Sequence, residues 1–137
     1  MKPHITYKIK LNSPPMAYVL YNRGYGGFGL SEEAMALYKT RTDATFKDYN
    51  RSDPCMVQIV RELGQRASER GSNVQIESIP VKFATCYRIR EYDGDETVAI
   101  DFGKYKLDCI RDIVDNSLIS SDNKVALVQF TLNENSE

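Results

Sequence analysis

The chain has few of the residues that most catalytic and metal sites require. Its one histidine, His4, is too little for a histidine-rich zinc site and argues against a Ser-His-Asp or Cys-His site. Its three cysteines, Cys55, Cys86 and Cys109, form no C-x-x-C pair and are typical of free thiols in an intracellular protein. It has no G-x-x-x-x-G-K-[ST] sequence for binding phosphate. We therefore expect neither a metal nor a cofactor.

Long apolar runs and an excess of one charge are also missing. The longest apolar runs, such as residues 125–128, are far too short to span a membrane. Eighteen basic and nineteen acidic residues give a net charge of −1, which argues against nucleic acid as a partner. Residues 1–5 lack the apolar run of a signal peptide. We expect an intracellular protein without a membrane partner.

Apolar patterning predicts five strand regions. Residues 4–11 alternate, as expected of a half-buried strand, and residues 17–22 are apolar on both faces, as expected of a strand covered on both sides. A short strand begins at residue 74 and ends near Pro80. Residues 83–102 form the clearest hairpin, and residues 125–132 are predicted to be the last strand.

Helix signals lie between these strands. Ser31 is a suitable N-cap for a short helix, with two glutamates in its first turn. Asp53, followed by proline, begins a second helix that ends at Gly71, or earlier at Gly64. Residues 104–115 are predicted to form a third. The chain is thus expected to be a single α+β domain over residues 1–137, with a mixed or mainly antiparallel sheet and two or three helices.

The hairpin turn is specified by Asp93-Gly94, which has the residue types of a type I′ turn. The register that follows pairs apolar residues with apolar residues, such as Ile89 with Val98. It also places Glu91 directly opposite Glu96, which is unfavourable without a compensating partner.

Three segments in a fixed order resemble a family of small uncharacterised proteins encoded by large DNA viruses and bacteriophages. They are residues 25–31 (Tyr-Gly-Gly-Phe-Gly-Leu-Ser), residues 51–64, and residues 89–96 with a Glu-Tyr-Asp-Gly hairpin. The resemblance covers about residues 17–100, and this chain has additional segments on both sides. It also has an extra residue, Ser52, between the arginine and the Asp-Pro pair. Because the family has no established activity, the resemblance implies a viral origin but no reaction.

The glycine-rich loop of residues 24–29 allows more than one interpretation. Gly24, Gly26 and Gly29 satisfy G-x-G-x-x-G, but no second parallel strand follows the first helix, so we do not expect a dinucleotide site. Its backbone amides are placed to hold an anion at a helix N-terminus, although Glu32 and Glu33 compete for that end. Tyr25 and Phe28, which lie between the glycines, are also candidates for exposed aromatic residues that bind a partner. The structural alternative is a tight turn with its aromatic residues in the core.

The acidic hairpin tip is equally open. Its carboxylates are either splayed into solvent, or paired with nearby arginines, or arranged around Mg²⁺ or Ca²⁺. We favour a structural role for Arg51, which would dock on the hairpin, and for Asp53, which would cap its helix.

Two functions are compatible with these features. The first is a non-enzymatic viral protein, virion-associated or intracellular in the infected host, which works as a homodimer through its sheet edges and its nine tyrosines. Another viral or host protein is a further candidate partner. The alternative is a small ligand-binding protein or enzyme with a pocket built from the glycine-rich loop, Arg51, Asp53 and the hairpin. No catalytic residue is assigned, and the candidate contact residues are Tyr25, Gly26, Gly27, Phe28, Arg51, Asp53, Glu91, Asp93 and Glu96.

Overall fold

The structure, a computed structural model, describes residues 15–134. The strand predicted for residues 4–11 and His4 lie outside these residues. The described part has an α+β fold, as predicted, with two antiparallel two-stranded sheets and four α-helices. The elements are β1 (Met16–Asn22), α1 (Glu32–Thr42), α2 (Pro54–Leu63), β2 (Val74–Pro80), β3 (Tyr87–Tyr92), β4 (Asp95–Ile100), α3 (Phe102–Asp115) and α4 (Ser121–Asn133).

Strand β1 is covered on both faces, as its continuous apolar sequence predicts. It pairs with β2 along its whole length. Val19 and Leu20 point to opposite faces, and both are fully buried. Leu20 belongs to the apolar cluster formed with α1 and α2, whereas Val19 packs with Phe83, with side chains of β3 and β4, and with the start of α3. The β1–β2 sheet therefore separates two apolar clusters.

The two N-terminal helices begin at the predicted caps. Ser31 Oγ accepts a hydrogen bond from the amide of Ala34, and Asp53 Oδ1 accepts from the amides of Cys55 and Met56. Helix α2 ends at Gly64, the earlier of the two predicted ends, where the backbone has φ of 60°.

The β3–β4 hairpin has the predicted turn and register. Asp93 and Gly94 have φ of 54° and 90°, the positive values that a type I′ turn requires. Ile89 pairs with Val98, and Glu91 pairs with Glu96. The register predicted from the turn residues and the apolar pairs is therefore the one that forms, and it sets which side chains of the hairpin face the core.

The strand predicted for residues 125–132 is wrong, because these residues lie in helix α4. Ser120 Oγ caps this helix by accepting from the amide of Asn123, and Thr131 Oγ1 donates to the carbonyl of Leu127 one turn earlier. The fourth helix exceeds the two or three expected. Within residues 15–134, no helix combines the length and apolar character needed to cross a membrane.

Candidate functional site

Arg51 and Glu96 form a largely buried bidentate ion pair, which confirms the predicted docking of Arg51 on the hairpin. Arg51 Nη1 lies 2.8 Å from Glu96 Oε1, and Nη2 lies 3.2 Å from Oε2. Glu96 is 7% exposed, and its Oε1 also accepts the amide of Asn22 at 2.9 Å. The pair therefore joins the loop before α2 to the end of β1 and the start of β4.

Other contacts hold the guanidinium of Arg51 in place. It stacks on the ring of Phe28, with its carbon 3.7 Å from the ring centroid. Its Nε donates to the carbonyl of Asp48. The backbone carbonyl of Arg51 accepts the amide of Leu20 at 2.7 Å. Arg51 thus uses both its charge and its backbone to fasten the loop against β1, and its guanidinium is committed to internal partners.

Glu91 and Asp95 of the hairpin have separate partners, which explains how Glu91 is tolerated opposite Glu96. Glu91 Oε2 turns back to accept the amide of Gly94 at 2.6 Å, and Asp95 Oδ1 accepts the amide of Gly24 at 2.8 Å. The carboxylates therefore diverge. Among residues 15–134, no group of three or more acidic, cysteine or histidine side chains is arranged to hold a metal ion.

The glycine-rich loop is held between two other turns. A Cβ atom on Gly26 would lie 1.6 Å from the carbonyl oxygen of Gly71, and one on Gly94 would lie 2.5 Å from the carbonyl oxygen of Tyr25. Ser72 Oγ donates to the carbonyl of Gly27 at 2.7 Å. We call this contact between residues 24–29, the turn at Gly71 and the hairpin tip the glycine junction. Close backbone packing requires glycine at positions 26 and 94, and positive φ values favour it at positions 24, 27 and 71, so these glycines have a structural role.

The two aromatic residues of the loop have different surroundings. Phe28 is half-buried and packs against the apolar cluster below Arg51. Tyr25 is 71% exposed, so the interpretation of Tyr25 as a core residue is wrong. Tyr92, two residues before Gly94 in the hairpin, is 79% exposed. The glycine junction therefore presents two tyrosines to solvent from a closely packed backbone.

Neither phosphate-binding interpretation of the loop gains a site. The strand after the two helices, β2, is antiparallel to β1, so the βαβ unit of a dinucleotide fold is not formed. At the N-terminus of α1, the amide of Ser31 already donates to the carbonyl of Ala67. Glu33 in the first turn is paired with Arg66. One of the backbone amides that would bind an anion at this helix N-terminus therefore already donates a hydrogen bond within the chain.

Asp53 has a structural position as well. Besides capping α2, its Oδ2 accepts the hydroxyl of Tyr38 at 2.6 Å. This hydrogen bond, together with desolvation and the nearby charge, raises the pKa of Tyr38 above its ordinary value. Asp53 therefore connects α2 to α1, and both of its carboxylate oxygens are used.

Two residues of the predicted pocket, Phe28 and Glu96, line different cavities. A cavity of about 370 Å³ has walls that include Phe28, Leu30, Met35, Phe46 and Lys47. Glu96 lines a different cavity, of about 320 Å³.

Sequence reasoning missed Asn22, the buried polar residue that completes the junction. Its Nδ2 donates to the carbonyls of Gly24 and Gly94, and its Oδ1 accepts the amide of Asn73. One signal was available in the sequence, since Asn22 is the polar residue that ends an apolar strand immediately before a glycine-rich loop.

No family model, curated protein or solved structure matches this chain.

Proposed function

We propose that the protein is a non-enzymatic interaction protein that works as a homodimer and uses the glycine junction to contact a second protein. The observation that carries this proposal is the pair of exposed tyrosines, Tyr25 and Tyr92, on a backbone that three segments clamp. Tyrosines on a rigid support give a large contact area with little loss of conformational entropy, which is why they are common in protein interfaces.

The state of the ionisable groups favours an interaction protein over an enzyme. A catalytic carboxylate or base needs a free atom directed at a substrate. Arg51 and Glu96 are instead paired with each other, and Asp53 is shared between a helix cap and a tyrosine hydroxyl. Arg51 and Glu96 support the junction, Asp53 connects two helices, and the exposed tyrosines form the contact surface of the junction.

The viral origin, and a location in the infected cell or the virion, rest on the sequence resemblance of residues 17–100. The three resembling segments meet in the fold, since residues 25–31, Arg51 and Glu96 all belong to or adjoin the glycine junction. This meeting supports treating them as one structural unit, to which the flanking segments of this chain are additions.

A small ligand-binding protein is the second candidate. It is favoured by the cavity of about 370 Å³ beside Phe28, where apolar walls adjoin the amine of Lys47 and the exposed ring of Tyr49. Such a cavity suits a small molecule with an apolar body.

Affinity capture with matched variants tests the proposal. Immobilised wild-type protein, the double variant Tyr25→Ala/Tyr92→Ala and the control Tyr49→Ala are compared in an extract of the host cell. Tyr49 is as exposed but lies outside the glycine junction, in the wall of the cavity of the second candidate, so loss of the partner by this variant would point to that cavity instead. We expect the wild type and Tyr49→Ala to retain the same partner, and the double variant to lose it without a lower melting temperature. Equal retention by all three proteins would contradict the proposal.

A further inference from the structure

The two C-terminal helices form an antiparallel pair that has almost no core of its own. Lys124 at the start of α4 donates to the carbonyl of Val114 at the end of α3, and Lys106 donates to the carbonyl of Glu134 beyond the end of α4. Within residues 102–133 only Thr131 is buried. A helix pair gains most of its stability from packing an apolar face. This pair therefore leaves most of its packing surface uncovered.

Helix α4 is apolar on more than one side. Val125 and Leu132 are seven residues apart and share one face, while Leu127 and Phe130 share another. All four are exposed, with Phe130 at 66%. The nine residues between Lys124 and Glu134 carry no charge. A helix that is apolar on all sides is normally a buried helix.

Helix α3 continues this surface on its outer side. Its inner side holds Tyr105, which packs edge to face against Phe83 with ring centroids 4.9 Å apart. Leu107 is about 200° further around the helix than Tyr105, and Val114 lies two turns beyond Leu107 on the same face. Both are exposed, and Leu118 in the connecting loop is 94% exposed. Exposed apolar residues thus occur on both helices of the pair and in the loop between them.

The charges of the helix pair fit a second copy of the same chain. Residues 102–133 contain four basic and four acidic residues, so the net charge of the pair is zero. Two identical copies would not repel each other, and a strongly charged partner would find no complementary field. Two helix pairs related by a twofold axis also make a four-helix bundle, the simplest arrangement that buries such faces.

We propose that a second copy of this chain covers α3 and α4, so that the two helix pairs form a four-helix bundle at the dimer interface. The proposal rests on the homodimer proposed above and assigns its interface to the C-terminal helices, in place of the sheet edges expected from the sequence. The glycine junction then remains free for another protein.

Charge substitutions on α4 test the assignment. In the double variant Val125→Glu/Phe130→Glu, unpaired carboxylates would enter the apolar contact, and we expect the dimer dissociation constant to rise by about a hundredfold or more. The control Tyr49→Glu places a carboxylate at an equally exposed site outside the helix pair and should leave the constant unchanged. Sedimentation equilibrium measures the dissociation constants of all three proteins.

If the double variant has the same dissociation constant as the wild type, the proposed interface is wrong but the homodimer stands. If the wild type is a monomer, the homodimer itself is wrong.

Hydrogen exchange on the wild-type protein gives a second test that does not depend on the variant folding. The amides of α4 should exchange more slowly as the protein concentration is raised through the dissociation constant, while the amides of residues 47–49, in an exposed loop outside the helix pair, should not change. If the amides of α4 exchange slowly at every protein concentration, the proposal is overturned, because residues of the same chain would then cover the helix.

Discussion

Gly26 and Gly71 touch backbone to backbone, 45 residues apart in the sequence, with no space between them for a side chain. Together with the contact of Gly94 on the backbone of Tyr25, this packing fixes the glycine-rich loop against the hairpin. The loop that most resembles a phosphate-binding motif is therefore a packing junction, and its exposed tyrosines become the functional candidates.

Substitution of Gly26 tests the junction directly. A Cβ atom at this position would overlap the carbonyl of Gly71, so we expect Gly26→Ala to lower the free energy of unfolding by at least about 2 kcal/mol. The matched control is Gly103→Ala in helix α3. A Cβ atom added there would have its nearest neighbour, Asp101 Oδ1, at 3.6 Å, which is an ordinary contact distance. There, alanine should be neutral or stabilise by about 0.5–1 kcal/mol. Urea denaturation compares the two, and equal stabilities would show that the junction tolerates a side chain.

Removal of the charge of Glu96 should destabilise the protein strongly. Glu96→Gln leaves the largely buried guanidinium of Arg51 without its counter-ion, for which we expect a loss of up to about 3 kcal/mol, since Arg51 keeps its contacts with Asp48 and Phe28. The control, Glu62→Gln, breaks the exposed pair with Arg41 and should cost at most about 1 kcal/mol. Chemical denaturation of both variants measures the difference. A neutral or stabilising effect of Glu96→Gln would mean that repulsion between the hairpin acids outweighs the ion pair.

The two aromatic residues of the loop should respond differently to truncation. Tyr25→Ala should leave the melting temperature unchanged, because the side chain is exposed. Phe28→Ala removes a half-buried ring that supports Arg51, and we expect a loss of about 1–3 kcal/mol. Thermal unfolding followed by circular dichroism distinguishes them. A large fall in melting temperature for Tyr25→Ala would show that Tyr25 has a structural role.

The hydrogen bond between Tyr38 and Asp53 predicts a dependence of stability on alkaline pH. Because folding raises the pKa of Tyr38 above its ordinary value of 10.0, its contribution is fully present below that pH. The contribution is lost as the pH rises through the higher pKa of the folded state. The stability difference between the wild type and Tyr38→Phe should therefore be constant near neutrality and become smaller in the alkaline range. Urea midpoints measured across that range test this, and a difference independent of pH would contradict it.

Local signals in the sequence were sufficient for much of the fold and for one contact of the site. Asp93-Gly94 determined the hairpin register, and Ser31 and Asp53 determined where the helices begin, because each acts on residues within a few positions. The docking of Arg51 on the hairpin was predictable because an acidic pair facing each other requires a base.

Features that depend on distant partners were not predictable in the same way. The apolar run in α4 suits a buried strand or a buried helix equally, and the Ser120 cap that favours the helix is a local signal that the strand interpretation left out. Asn22 receives its role from Gly94 and Asn73, which are 72 and 51 residues away in the chain. No local pattern contains those contacts.

Sedimentation equilibrium of the wild-type protein over a range of micromolar concentrations tests the central claim, that this is an interaction protein built to associate with itself. We predict a mass that approaches twice the 15.6 kDa of one chain as the concentration rises. A mass that remains at that of one chain throughout the range would contradict the account.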